Sequence, residues 1–279
     1  MTKPAAPGLH VRKWSNGRWT DSPDAVVTEE PLQLMLEGKP LSVVMRTPGH
    51  DLELCLGLLY SEGILRTLDD VTFMRISAEA GESENGIRVA ADLVESNQVD
   101  VHFTKGPRRR PERSMLSSSA CGVCGTVLIE DLRRDLAPLP DGPVVDPSVL
   151  PGLVEILRQG QGVFDRTGGL HAAGVFSATG KMHCVREDVG RHNAIDKAVG
   201  AVMRGGKEPQ TLLVTSRASY EVVHKAAEVG CTLVAAISAP TSLALRLAQE
   251  AGVTLVGWTR EPRLTVYCGA LGRTVTDLK

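Results

Sequence analysis

Cys121 and Cys124 stand three apart in SSSACGVCGT (117–126), each followed by glycine, behind the basic run GPRRRPERSM (106–115). Several chemistries use such a pair. A structural zinc site takes four ligands, usually as two close pairs. Cys55, Cys184, Cys231 and Cys268 are instead scattered singly in apolar stretches and read as small buried hydrophobes. His171, His183 and His192 offer no pair at metal spacing. A deaminase-type zinc site needs HxE or CxE ahead of PCxxC. No His or Cys of this chain begins such an element, and Ser119-Ala120 stands where proline is required. No zinc is expected. A thioredoxin-like pair opens a helix within a βαβ unit, whereas this pair ends a polar, arginine-rich stretch. Two sulfur chemistries stay open: a dithiol that cycles through a disulfide, and one exposed thiolate that carries a group. Gly122 and Gly125 leave the sulfur sterically open. The helix start expected near Thr126, with Arg108–Arg110 and Arg113, favours the thiolate. The other reading of those arginines is a solvated loop.

The elements that must position this pair fall into two groups. VVTEEPLQLMLEG and LSVVMRT (26–47) predict a hairpin turning at Gly38-Lys39. HDLELCLGLLYSEGIL (50–65) sets Leu52, Cys55, Leu56 and Leu59 on one face of a helix that starts near Asp51. VTFMRIS, GIRVAADL and VDVHFT follow as strands. Residues 1–107 are thus expected to form a smaller β-rich α+β domain, and 108–126 a mobile basic linker with the CxxC loop. Residues 127–279 read as an α/β domain. Helices are expected at 127–136 and up to about Gln161, with a strand pair over 171–187. Strands at 211–216, 232–238, 254–258 and 264–268 then alternate with helices from Arg191, Ser219 and Thr241. That alternation predicts layers around a largely parallel sheet.

Such a sheet binds ligands beyond the carboxyl ends of its strands, where helix N-termini offer free N–H groups. TSRASYE (215–221), SAPTSLA (238–244) and WTREPR (258–263) all fall there, with Ser219 and Thr241 as N-caps. Arg217, Arg260 and Arg263 share that edge, and guanidinium forks suit phosphate oxygens. There is no GxxxxGK[ST] loop, and no GxGxxG follows a strand. The expected ligand is an anion held by arginines and helix ends.

Bulk properties limit the alternatives. The chain has 279 residues, 42% hydrophobic and 23% charged, as in ordinary globular proteins. Aromatic content is 4% and net charge is −2, which argues against a stacking platform for nucleic acid and against a global field for DNA or anionic membrane. The longest apolar runs, such as LCLGLLY (54–60), are far short of the roughly 20 residues that span a bilayer. The N-terminus lacks an apolar secretory core. The expectation is a cytoplasmic protein with reduced thiols.

Longer ordered motifs narrow this. LGLLYSEGIL (56–65), ACGVCG (120–125), TGGLHAAGVF (167–176), REDVGRHNAIDK (186–197), TSRASYEVVHKAAEVG (215–230) and SAPTSLALRLAQEAGVTLVGWTREPRLTVY (238–267) together resemble the formate dehydrogenase accessory sulfurtransferase family (FdhD). The resemblance implies a cytidine-deaminase-like α/β layer domain without zinc. It implies sulfur carried as a cysteine persulfide from a cysteine desulfurase to the bis-molybdopterin guanine dinucleotide cofactor (Mo-bis-MGD) of formate dehydrogenase. By position, Cys121 is the implied persulfide carrier, with Cys124 beside it. Trp258, Thr259, Arg260, Glu261, Pro262 and Arg263 form the implied cofactor-binding segment, joined by Arg217 and His192. Glu261 and Pro262 depart from the more basic, glycine-containing form of that segment. A homodimer is expected, with the dehydrogenase's catalytic subunit as recipient. A CxxC thiol oxidoreductase and a non-catalytic cofactor chaperone are the competing functions.

Overall fold

A computed structural model describes residues 5–76, 88–90, 97–107, 115–117, 138–140, 142, 145–207 and 209–271. Cys121, Cys124, Arg108–Arg110, Arg113 and the helix expected at 127–136 lie outside the described residues.

Polar alternation and an Asn16-Gly17 turn, both residues at positive φ, produce the hairpin of β1 (Gly8–Ser15) and β2 (Arg18–Ala25). The sequence reading did not anticipate it, because its strands are exposed on both faces and lack an apolar period. The next hairpin, β3 (Glu30–Leu36) and β4 (Lys39–Arg46), turns at Glu37-Gly38, one residue earlier than expected; both turn residues have positive φ. With β5 (Val71–Ile76), β6 (Arg88–Ala90), β7 (Gln98–Phe103) and β8 (Met115–Ser117) it builds a six-stranded sheet of order β6-β5-β7-β3-β4-β8. β8 lies inside the segment read as linker: residues 115–117 pair in parallel with Ser42–Val44. The unpaired edge of β4 attracts a strand that local composition hides.

Leu32, Leu34, Leu36, Val44, Met74, Val99 and Val101 meet α1 (Asp51–Ser61) in the first core. The face read from periodicity, Leu52, Cys55, Leu56 and Leu59, is buried as expected. Glu53, Leu54, Gly57 and Ser61 are buried too, because the opposite side of α1 packs on the second half of the chain.

That half holds α2 (Val149–Gln159), α3 (Gly162–Thr167), β9 (His171–Phe176), β10 (Met182–Asp188), α4 (Arg191–Arg204), β11 (Thr211–Val214), α5 (Tyr220–Glu228), β12 (Leu233–Ala236), α6 (Ser242–Ala251), β13 (Thr254–Arg260) and β14 (Arg263–Cys268). The sheet order is β10-β9-β11-β12-β13-β14. Only β11-β12 and β12-β13 are parallel. The sheet is mixed rather than largely parallel, because the 171–187 and 254–268 pairs are hairpins and flank the parallel centre. Both faces are covered. Leu212, Val214, Val234 and Ala236 meet α4, α5 and α6, while Leu213, Leu233 and Ala235 meet Leu150, Leu153 and Leu157 of α2. Consecutive apolar residues on the central strands therefore serve opposite layers.

The two halves meet where α1 crosses α4. A methyl group on Gly57 would lie 1.8 Å from the Asp196 carbonyl oxygen, and one on Gly200 would lie 2.0 Å from that of Glu53. Glycine at both positions lets the helix backbones touch.

Candidate functional site

At the carboxyl edge of the parallel strands, three loops are knitted together. Ala218, after β11, bridges to Pro240, after β12, and the Thr241 N–H donates to the Ala218 carbonyl at 3.0 Å. The Trp258 N–H donates to the Ser238 carbonyl at 3.2 Å. Gly257 lies so close to Pro240, Ser238 and Tyr267 that an added methyl group would meet them at 3.0–3.1 Å. The segments TSRASYE, SAPTSLA and WTREPR thus share one shelf, as expected. Thr241 caps α6, its hydroxyl accepting from the Ala244 N–H. Ser219 occupies the N-cap position of α5, but its hydroxyl instead donates to Glu221 Oε2 at 3.0 Å.

The β13–β14 hairpin overhangs this shelf. Between Gly257 and Arg260 its register slips, and Trp258 adopts φ +52°, the left-handed region that large side chains avoid. The bulge turns Trp258 outward, 39% exposed, and buries Thr259 completely. The Arg260 guanidinium carbon lies 5.8 Å from the Trp258 ring centre, and Arg260 faces Arg263 across the strand pair, with Glu261 and Pro262 at the turn. Like charges opposed across strands repel. An anion between them would relieve that repulsion. Thr259 Oγ1 is buried with no hydrogen-bond partner among the described residues. Arg217 is exposed on the same edge, after β11.

Beside the shelf, a cleft of about 490 Å³ is lined by residues including Gln161, Gly169, His171, Val189, Thr215 and Ile237. Glu187 positions its rim by accepting the Val163 and Phe164 N–H groups of α3 at 3.0 and 2.8 Å. Burial lowers the pKa of His171, helped by the charge of Arg191, which favours the neutral ring. Neither His171 nor Glu221 was singled out as a site residue. The signal for His171 was its place in TGGLHAAGVF at the start of a strand; Glu221 becomes visible only through its contact. His192 is buried, and its Nε2 lies 3.2 Å from Glu221 Oε2. The hydrogen bond from His192 holds Glu221 at a pKa of about 2 against the opposing effect of burial.

The rest of REDVGRHNAIDK serves the junction between halves. Arg186 bridges Glu53 of α1 with two hydrogen bonds of 2.5 and 2.9 Å. Asp188 accepts the Thr47 N–H at 3.1 Å, and Asn193 donates to the Met45 carbonyl at 2.7 Å. Lys197 reaches Asp188 at 2.7 Å and the Thr47 carbonyl at 2.8 Å. Asp196 binds Ser61 at 2.9 Å and Lys225 at 2.8 Å. Of the thiols, Cys55, Cys184 and Cys231 are buried as expected, while Cys268 is half-buried. No group of His, Cys, Asp and Glu able to hold a metal exists among the described residues, and none of their helices is long and apolar enough to cross a membrane.

Fold and site together define a mixed α/β protein with an arginine-bearing edge beyond its parallel strands. The chain belongs to the FdhD/NarQ family, whose model matches residues 27–273. It is 42% identical over 259 residues to the sulfur carrier protein FdhD of Anaeromyxobacter dehalogenans strain 2CP-1, covering 88% of this chain and 86% of that one. The FdhD of Streptomyces coelicolor is 42% identical over 268 residues, 91% of each chain, and that of Corynebacterium efficiens 43% over 259 residues, 90% of this chain and 91% of that one. A crystal structure described as a formate dehydrogenase accessory protein from Desulfotalea psychrophila shares the fold, with a TM-score of 0.71 at 22% identity over 95% of this chain and 98% of that one.

Proposed function

We propose that this chain is a sulfurtransferase: it takes sulfur from a cysteine desulfurase as a persulfide on Cys121 and delivers it to the Mo-bis-MGD cofactor, so that formate dehydrogenase becomes active. The cofactor is cargo here. The observation that carries the reading is the opposed Arg260–Arg263 pair under an outward Trp258 at the carboxyl edge, in a chain whose relatives are named sulfur carriers.

The chemistry divides between the two regions. In loading, the Cys121 thiolate attacks the outer sulfur of the donor persulfide. The donor S–S bond breaks, and the donor cysteine leaves as thiolate. The attacking group must be ionised and accessible, which the glycine-flanked, basic context favours. In delivery, the edge holds the cargo. Arg260, Arg263 and Arg217 supply guanidinium forks for the two diphosphates. Trp258 supplies a flat outward face, with Thr259 buried beneath the bulge. His192, buried, and Glu221, half-buried, join through a hydrogen bond behind the shelf and stiffen it. Cys-x-x-Cys pairs close into disulfides readily, and attack by Cys124 would expel the sulfur as hydrosulfide, so productive transfer requires it to stay protonated, turn away or act as a relay.

Intact-mass analysis after incubation with a cysteine desulfurase and cysteine tests the loading step. One added sulfur, roughly 32 Da, is expected, mapping to Cys121. A Cys121→Ala variant that gains sulfur at wild-type yield would remove Cys121 as the carrier.

A further inference from the structure

The shelf and its cleft lie at the carboxyl ends of the parallel strands. The opposite pole, where Gln210 precedes β11 and Gly230 lies ahead of β12, holds a separate cavity of about 380 Å³. Helix ends build it. After α1, α4 and α5 the chain turns at a glycine of positive φ: Gly63, Gly206 and Gly230. In each case the next N–H returns to a carbonyl five residues back: Ile64 to Leu59 at 2.9 Å, Lys207 to Val202 at 3.1 Å and Cys231 to Ala226 at 2.8 Å. The last turns of three helices thus meet at one place, and Lys207, Pro209 and Gln210 run beside them towards β11.

Val199, Val202 and Met203 of α4, with Val229 after α5, give the cavity an apolar wall. Tyr60, from α1 in the first half, adds a hydroxyl. Burial raises the Tyr60 pKa, and the Glu228 charge adds to this against Arg66, so the phenol keeps its proton and can donate to an anion. Lys207, exposed at the cavity, adds a positive charge. Gln210 lines the same space, and its Oε1 is buried with no hydrogen-bond partner among the described residues. A buried acceptor left unpaired is rare in native proteins and calls for a donor. The helix carboxyl ends add partial negative charge, which favours a cationic donor over a neutral one. One molecule that satisfies this lining has three parts: an ammonium for Gln210 Oε1, an anion for Lys207 and Tyr60, and an apolar body for the valines and Met203. A free α-amino acid with an apolar side chain has all three, and the volume is in the range of small-molecule sites.

We propose that this cavity binds a free apolar α-amino acid of the leucine class, whose ammonium donates to Gln210 Oε1 and whose carboxylate meets Lys207 and Tyr60. The site rests on the polar cluster that joins the halves. Tyr60 adjoins Ser61, and Val199 and Val229 lie one helical turn beyond Asp196 and Lys225, which bind each other and Ser61. An occupant therefore ties α1 to α4 and α5 and stabilises the junction. The proposal does not depend on the sulfur chemistry above.

Isothermal titration calorimetry of the full chain with L-leucine tests it. Saturable binding is expected, with a rise in thermal midpoint. N-acetyl-L-leucine lacks the ammonium and isoamylamine lacks the carboxylate; each should bind at least about tenfold more weakly. Gln210→Leu removes an acceptor that has no partner in the fold, so its urea midpoint should hold while its affinity for leucine falls at least about tenfold. Lys207→Ala, at an exposed position, should lose a similar factor. Guanosine diphosphate should not displace leucine, which separates this cavity from the shelf. The proposal is overturned if leucine fails to saturate at millimolar concentration, if N-acetyl-L-leucine binds as well as leucine, if both variants bind like the wild type, or if guanosine diphosphate competes for the same site.

Discussion

Cys231 and Cys184 carry thiols that burial pushes up to about 12 and about 11; burial also raises Cys55 well above the ordinary thiol value. None of the three is a nucleophile near neutral pH, because the reactive form is the thiolate. The reading that single cysteines in apolar stretches are small hydrophobes thus has a physical outcome at these three positions. The arginines argue differently. Arg260 and Arg263 face each other with no ion-pair partner among the described residues, so each gains from an anion. Replacing either with Ala should weaken binding of guanosine diphosphate, a fragment of the cargo, by about 1.5 to 3 kcal/mol, the range of hydrogen bonds to charged groups. Isothermal titration calorimetry measures this; unchanged affinity in both variants would move the cargo site elsewhere.

At the scale of elements, the α1–α4 crossing matters most. Its glycines bring two backbones into contact, and its polar residues form pairs that neither helix could satisfy alone. Asp196→Ala would strand the buried Lys225 ammonium and should cost about 3–5 kcal/mol, read as a fall in urea midpoint. Gly57→Ala should also destabilise, by overpacking, by about 1–3 kcal/mol or more. A change in neither variant would mean the halves are held by something else. The helices and strands from 171 to 268 were legible in sequence, because buried strands and amphipathic helices differ sharply in period and length. Strand direction was legible only in part: the strand–turn–strand at 171–187 is the expected hairpin, but period carries no polarity, and the hairpin at 254–268 was absorbed into a parallel pattern. The three edge segments were legible because the turn and capping residues after each strand fall at the same edge. The bulge that turns Trp258 out was not, because it is set by Gly257 meeting Pro240 and Ser238, a contact between distant parts of the chain. REDVGRHNAIDK was recognisable as a motif, but its use was hidden. Arg186, Asp188, Asn193, Asp196 and Lys197 all find partners in or beside α1 or on α5, which sequence spacing cannot reveal.

Across the whole molecule, carboxylates join the halves and hold the shelf. Burial raises the pKa of Glu53, but hydrogen bonds and charge from Arg186 and His50 outweigh it and bring it to about 2; Glu221 falls equally low through His192. The ordinary value is 4.5 for both. A folded-state pKa below the unfolded one contributes stability above about pH 4.5 that is lost as pH falls towards 2. Urea midpoints should therefore drop through that window, and Glu53→Gln should start lower and fall less steeply. A midpoint flat from pH 5 to 2 would contradict the assignment. The central claim concerns sulfur passing through this molecule, and one measurement addresses it most directly. The chain is loaded with radiolabelled sulfur by a cysteine desulfurase, then mixed with inactive formate dehydrogenase, and label and formate oxidation are followed in the dehydrogenase. The account predicts that both appear together with the wild-type chain, in part with Cys124→Ala, and not at all with Cys121→Ala. Transfer at wild-type level from Cys121→Ala would contradict it, and equal, complete loss in both folded variants would replace the single carrier with an obligatory dithiol.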